Sequence, residues 1–255
     1  MKELKFLKKY SESFGKPMLR AIKNYGMIKD GDRIAVGLSG GKDSIVLLYL
    51  LAWLKKFSHL EFDLSAIHIN TFGNHDNQIL QKLCEDLNIK FFLEHLQRPN
   101  DLPPKSICSA CARLKRGAMR KICEVNRIST LAFGHHATDA AETLLMNMLI
   151  NKKLGSFCPV VSIPDSNIKI IRPMIYLTEN KIINLNKEFE LPIAEHHCPY
   201  EDQNQRNKYK SLLKSISDNS GIPDPELQIV GALENIDTSN LYSQVLQSQQ
   251  SPLPK

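Results

Sequence analysis

Apolar residues recur along this chain in two rhythms, short unbroken runs of strand length and longer stretches spaced as on a helix. The short runs predict strands over 33–38, 64–70, 90–96, 130–134 and 169–173. The longer ones predict helices over 44–56, 76–88, 109–126, 139–151 and 179–190. Helical patterning also covers 3–28, with an interruption near Gly15 and Pro17, and returns after a loop over 191–201. A proline-rich loop over 99–105 separates the third strand from its helix. Strands alternating with helices of this length imply an α/β fold, a parallel sheet with helices on both faces. The expected organisation is a helical N-terminal extension over 1–28, a nucleotide-binding catalytic domain over 29–200 and a helical tail over 201–255. Past Asn240, repeated Gln and Ser with Pro252 and Pro254 predict a loosely ordered end.

In sheets of this kind ligands bind beyond the carboxyl ends of the strands. Ser39, Asn70, Leu96 and Gly134 fall at those ends, so their loops are expected to share one crevice. The first of these loops carries the strongest chemical signal. Residues 34–44 read Ile-Ala-Val-Gly-Leu-Ser-Gly-Gly-Lys-Asp-Ser, a buried run, a glycine turn and a helix start. Two adjacent glycines let backbone N–H groups crowd inward. With the positive end of the helix dipole they make a nest for phosphate oxygens. Lys42 adds a cation, Ser39 and Ser44 add hydroxyls, and Asp43 adds a candidate metal ligand. The spacing does not fit Gly-x-x-x-x-Gly-Lys-Ser/Thr. Ser39-Gly40-Gly41-Lys42-Asp43-Ser44 instead resembles the PP-loop of the N-type ATP pyrophosphatases. That resemblance implies an adenine nucleotide alpha hydrolase-like fold and cleavage of ATP between its α and β phosphates. It further implies pyrophosphate held in the loop and AMP passed to a substrate oxygen.

Composition narrows the setting. No apolar run in the 255 residues approaches the roughly 18–20 needed for a membrane span. The first nine residues lack a secretory apolar region, and their alternation of Lys with Leu and Phe predicts an amphipathic surface helix. A cytoplasmic protein is expected. Six cysteines in a reducing compartment point to metal or reactive thiols rather than disulfides. The formal charge is +6, but nine Lys/Arg face four acids over 1–33, and seven face only Glu124 over 105–127. Such clustering suits a polyanionic partner or a well-solvated basic face.

Cys108-Ser-Ala-Cys111 stands before a predicted helix bearing Arg113, Arg116, Arg120 and Arg127 on one face. Leu114, Ala118, Ile122 and Val125 fall on another face, expected to pack on the sheet. Cys198, in Glu195-His196-His197-Cys198-Pro199-Tyr200, is the third candidate ligand. The residues alone leave three readings open. They are an iron–sulfur cluster with one open iron, a structural zinc site completed by His196 or His197, and a redox thiol pair. Cys84, with Leu80, Leu83 and Leu87, reads as core, Cys123 as a helix position and Cys158 as a loop thiol.

Cys108-Ser-Ala-Cys111-Ala-Arg113-Leu-Lys115-Arg116-Gly117 resembles the signature of the tRNA 2-thiocytidine synthetases, PP-loop enzymes that sulfurate a cytidine in the anticodon loop. Gly134-His135-His136-Ala-Thr-Asp139-Ala-Ala-Glu142-Thr143 and Ile171-Arg172-Pro173-Met174, followed by Glu179, resemble their second and third motifs, so the match spans about 20–215. The resemblance implies ATP, Mg²⁺ and a [4Fe-4S] cluster on Cys108, Cys111 and Cys198. It implies tRNA and a sulfur donor as partners, the donor being a cysteine desulfurase or free sulfide, in a chain able to form a homodimer. Ser39 to Ser44 with Asn70, Gly134 and His135 are then the expected nucleotide contacts, and the four arginines the RNA face. Lys42 and Asp43 are expected to act in catalysis. So is Asp139, as a nucleotide-positioning or proton-moving group, although a helix cap would use it equally well. Thr138 stands where the family usually has a second acid, and Glu201 where it commonly has a further cysteine. A tRNA-lysidine synthetase-like ligase and a non-catalytic zinc-containing RNA-binding protein are the rival readings.

Overall fold

The computed structural model describes residues 1–71, 77–96, 104–194 and 206–241, with 104–109 and 206–207 as backbone alone. Its strands are β1 Asp32–Gly37, β2 Phe62–Asn70, β3 Lys90–His95, β4 Thr130–Ala132, β5 Val160–Ser162 and β6 Lys169–Ile171. They form one sheet in the order β3-β2-β1-β4-β6-β5. Every pairing is parallel except β5 with β6. β1 is flanked by β2 and β4, with Val36 opposite both Ala66 and Ala132. The chain builds β2 and β3 on one side of β1, then crosses to β4, so the switch point lies at the carboxyl end of β1. β5 has no signature in the sequence. It is three half-exposed residues long, too short for alternation to show, and its turn into β6 places Asp165 at φ 54°.

The helices are α1 Lys8–Tyr10, α2 Lys16–Asn24, α3 Lys42–Phe57, α4 Asn77–Asp86, α5 Pro104–Val125, α6 Ala137–Asn151, α7 Glu179–Phe189, α8 Arg206–Ser220 and α9 Pro225–Glu234. The expected break near Gly15 and Pro17 is a π-helical turn, Ser11–Gly15, that joins α1 to α2. Pro17 lies in the first turn of α2, a position that tolerates its missing N–H. Residues 1–7 are not the expected amphipathic helix. They lie extended across α3 and α7, where Lys2 N–H donates to the Phe189 carbonyl at 2.9 Å. The Trp53 indole N–H donates to the Lys5 carbonyl at 2.9 Å, and the Phe6 ring stacks on Trp53. Side-chain donors on α3 thus compete with local helix formation for these carbonyls.

α3 is apolar all round from Ile45 to Leu54 and lies at the centre of the larger core. Tyr10, Phe14, Tyr49, Trp53 and Phe189 pack ring to ring over it. A second core occupies the opposite face of the sheet, where Met119, Ile122 and Cys123 of α5 meet Ala35, Ile67, Ile69 and Leu131. α5 begins at Pro104, five residues before the predicted start, so it absorbs the end of the proline-rich loop. Leu114 and Val125 do not pack on the sheet as expected. They sit at the flank of the helix and are 43% and 76% exposed. No helix among the described residues is long and apolar enough to cross a membrane.

Candidate functional site

The loop between β1 and α3 is tied by its own serines. Ser39 N–H donates to Ser44 Oγ at 3.1 Å, and Ser44 Oγ donates to the Gly41 carbonyl at 3.0 Å. The Ser39 hydroxyl, 3.0 Å from Ser44 Oγ, therefore supplies the remaining proton of that pair. Ser44 is buried and shapes the loop, whereas Ser39 is exposed at its rim. Gly40 takes φ 95°, a conformation that a side chain would strain, and turns the chain into the amino end of α3. Free first-turn N–H groups and the helix dipole then face the crevice. The Gly40 carbonyl accepts from Ala194 N–H at 3.1 Å, which brings the segment after α7 onto the loop.

Gly134, at the mouth of β4, abuts this helix start. A Cβ there would lie 2.8 Å from the carbonyl carbon and oxygen of Asp43 and 3.0 Å from Ser44 N. Gly134 is therefore a packing requirement of the site. The turn it makes delivers His136, 3% exposed, whose Nε2 lies 3.7 Å from Asp43 Oδ1 and 3.4 Å from Asp139 Oδ2. Asp139 Oδ2 accepts from the His136 backbone N–H at 3.0 Å, so its carboxylate secures the start of α6 while facing the same histidine. Asp43 Oδ1 is buried, with Lys42 Nζ 3.1 Å away as an ion-pair partner but no N–H or O–H among the described residues in hydrogen-bond geometry to it. An anionic oxygen in that condition, beside a phosphate nest, suits a divalent cation.

Lys42 Nζ lies 3.1 Å from Asp43 Oδ1 and 2.9 Å from Glu179 Oε1. Burial acts to lower its pKa, but Asp43 and Glu179 together outweigh that and raise it. Glu179, at the first position of α7, shares its other oxygen with Lys210 of α8. Burial acts to raise this carboxyl, and the bonds from Lys210 and Lys42 reverse the shift and hold it below its ordinary value. Glu179 N–H donates to Thr138 Oγ1 at 3.0 Å, and Thr138 donates its proton to Glu226 Oε1 of α9 at 3.2 Å. No motif marks Lys210, Glu226 or the bridging use of Thr138. Lys210 and Glu226 sit in tail helices with no local signature, and only folding carries them to α6 and α7.

The remaining expected contacts divide. Asn70 is buried at the end of β2, its Nδ2 3.4 Å from Asn77 Oδ1. The His135 ring stands against Phe133 and Phe157. Arg172 donates to the Cys158 carbonyl and lies over the Phe157 ring. Arg113, Arg116 and Arg120 follow at i, i+3 and i+7 along one face of α5. Arg113 and Arg116 are exposed in the middle of α5, while Arg120 is bonded to Glu124 and the Asp165 carbonyl. α5 ends at Val125, and Arg127 sits beyond it at φ 54°, roughly 20 Å along the axis from Arg113. The basic residues of α1 and α2 lie on the other side of the sheet from α5, and Lys9 and Arg20 are engaged with Glu188 and the Tyr176 ring.

Cys108 and Cys111 lie inside α5 rather than before it, one turn apart and therefore on one helix face. That turn belongs to the amino-terminal third of α5, at the carboxyl edge of the sheet where the β1–α3 loop opens. Cys111 is half-buried and forms no disulfide. The Cys108 side chain, His196, His197, Cys198 and Glu201 lie outside the described residues. Among the described residues no three His, Cys, Asp or Glu side chains converge as a metal site. Two thiols at helical i, i+3 spacing are a donor set that fits a thiolate-bound metal centre completed from elsewhere.

The PP-loop domain family matches residues 10–215. The tRNA-cytidine(32) 2-sulfurtransferase of Pelobacter propionicus is 33% identical, over 97% of this chain and 93% of its own. That of Geotalea daltonii is 33% identical, over 90% and 93%. Among solved structures, the U34-tRNA thiolase NcsA from Methanococcus maripaludis, with its [4Fe-4S] cluster, superposes with a TM-score of 0.69 at 25% identity. That match covers 92% of this chain and 84% of the thiolase. An NH₃-dependent NAD synthetase from Campylobacter jejuni, at 14% identity and TM-score 0.50, shares the fold alone. By the family match over 10–215 and the identity to the two sulfurtransferases over nearly their whole length, the chain belongs to the PP-loop family, among the tRNA-cytidine 2-sulfurtransferases.

Proposed function

We propose that this protein uses ATP to activate the 2-carbonyl oxygen of a tRNA cytidine and exchanges that oxygen for sulfur. The single observation that carries the reading is the loop of Ser39 to Ser44, a glycine-turned nest at the amino end of α3 with Lys42 and Asp43 beside it. The carbonyl oxygen attacks the α phosphorus of ATP and pyrophosphate leaves into the nest. Sulfide then adds at C2, and the oxygen departs with AMP. The protein's task is to hold the leaving pyrophosphate and the cytidine in line, since the chemistry needs positioning and charge compensation above all. Loop N–H groups and Lys42 bind the phosphates, and the Asp43 carboxylate would hold Mg²⁺, which offsets the phosphate charge. His136, secured by Asp139 at its backbone N–H, stands 3.7 Å from Asp43 Oδ1. When bound on three cysteines, a [4Fe-4S] cluster supplies one iron without a protein ligand, at which sulfur is delivered. Cys108, Cys111 and Cys198 would hold it, Cys198 following the Ala194 contact with the loop by four residues. Arg113 and Arg116 receive tRNA phosphates on the exposed face of α5.

Two measurements test this. Incubation with ATP and substrate tRNA should yield AMP and pyrophosphate, and Lys42→Ala should abolish it without unfolding the chain. Release of ADP would overturn the reading. Anaerobically purified protein should carry iron and sulfide that are lost on replacing Cys108, Cys111 or Cys198 by Ser, and retained on replacing Cys84, Cys123 or Cys158. Colourless, fully active protein with one zinc would refute the cluster.

A further inference from the structure

Glu179 carries two cations on one carboxylate, Lys42 on Oε1 at 2.9 Å and Lys210 on Oε2. Its side chain is only 12% exposed, so this charge has little recourse to water. To face the phosphates, Lys42 must relax its hold on Glu179. Removing one partner from a nearly buried pair is costly because it strands the other charge. Lys210 removes that difficulty. It meets the oxygen that Lys42 does not use, it comes from a different element, and its own side chain is 49% exposed, so it is free to stay. Glu179 is itself pinned at the backbone, through Thr138 to Glu226 of α9, and cannot follow Lys42 into the crevice.

We propose that Lys210 is a positioning residue for nucleotide binding, the counter-cation that keeps Glu179 compensated while Lys42 transfers to the phosphates. This rests on the reading of Lys42 as a phosphate ligand. It makes α8 part of the ATP site without any contact between α8 and ATP. The same logic distinguishes Lys210 from a simple structural residue. Its importance must vanish when residue 179 has no charge to strand.

The test is titration calorimetry of the full chain with Mg²⁺–ATP and, separately, with pyrophosphate. Lys210→Met retains the aliphatic stem and its packing while deleting the charge. It should weaken binding about tenfold, and Lys210→Arg should restore most of the loss. Glu179→Gln combined with Lys210→Met should bind as Glu179→Gln alone does, a non-additive cycle. Wild-type affinity in Lys210→Met, or an equal tenfold loss in the Glu179→Gln background, overturns the proposal. Unchanged affinity in Lys42→Ala would instead sink the phosphate-ligand reading on which it rests. Melting temperatures taken alongside identify any variant that fails to fold, and Lys210→Gln then replaces Lys210→Met in the same cycle.

Discussion

Replacing Gly134 by Ala isolates one steric contact between the β4 mouth and the ATP loop. The added Cβ would lie 2.8 Å from the Asp43 carbonyl carbon and oxygen, against 3.4 Å where ordinary contact begins, a shortfall of 0.6 Å. Both obstructing atoms are backbone at the start of α3, so no side-chain rotation relieves the clash. The helix start or the β4–α6 turn must move by about that distance. Overpacking of this kind costs about 1–3 kcal/mol. At about 2–4 °C per kcal/mol for a chain of this size, the melting temperature should fall by roughly 2–12 °C. Activity should fall further than stability, because displacing reacting groups by ~1 Å costs on the order of a hundredfold. A 0.6 Å shift of Asp43 and Ser44 should therefore reduce AMP formation about tenfold or more. Gly41→Ala is the structural comparison, since its Cβ would meet only Ser39 Oγ, at 3.7 Å. Calorimetry with an AMP-release assay reads both effects. Wild-type melting and turnover in Gly134→Ala would refute the packing argument.

The carboxyl of Glu179 is held below its ordinary value, so its contribution to stability is complete above its unfolded pKa and is lost as pH falls from about 4.5 through the folded value. Glu179→Gln should flatten the stability curve in that acid window, and unchanged acid unfolding would contradict the pairing. Burial pushes the Cys84 and Cys123 thiols up to about 12, so alkylation of the native protein at pH 8 should modify exposed Cys158 and spare both, as mass spectrometry would show. Charge reversal at Arg113 and Arg116 should weaken tRNA binding and reduce the salt slope by roughly 0.7–0.9 for each phosphate no longer neutralised. An unaltered slope would mean that this part of α5 is only solvated surface.

Fold class, strand order of appearance and the ATP loop were legible in the chain because each depends on local pattern. An unbroken apolar run, a glycine pair and a helical repeat mark β1, the turn and α3 whatever surrounds them. Elements without a period were not legible. β5 is three residues long, and residues 1–7 carry a helical alternation that the carbonyl-seeking Trp53 and Tyr49 donors override. Helix register puts Arg113, Arg116 and Arg120 on a common face, but α5 ends at Val125, short of Arg127, and Arg120 is paired with Glu124. Motif spacing named Gly134, Asp139 and Glu179 without their contacts. Only the tertiary structure shows that Gly134 makes room for the Asp43 backbone, that Asp139 secures His136, and that Glu179 is divided between Lys42 and Lys210. The physical reason is range. Backbone propensity and burial periodicity act within a few residues, whereas charge compensation in a buried site is set by whichever side chain folding carries within about 3 Å, here from α8, some thirty residues beyond Glu179.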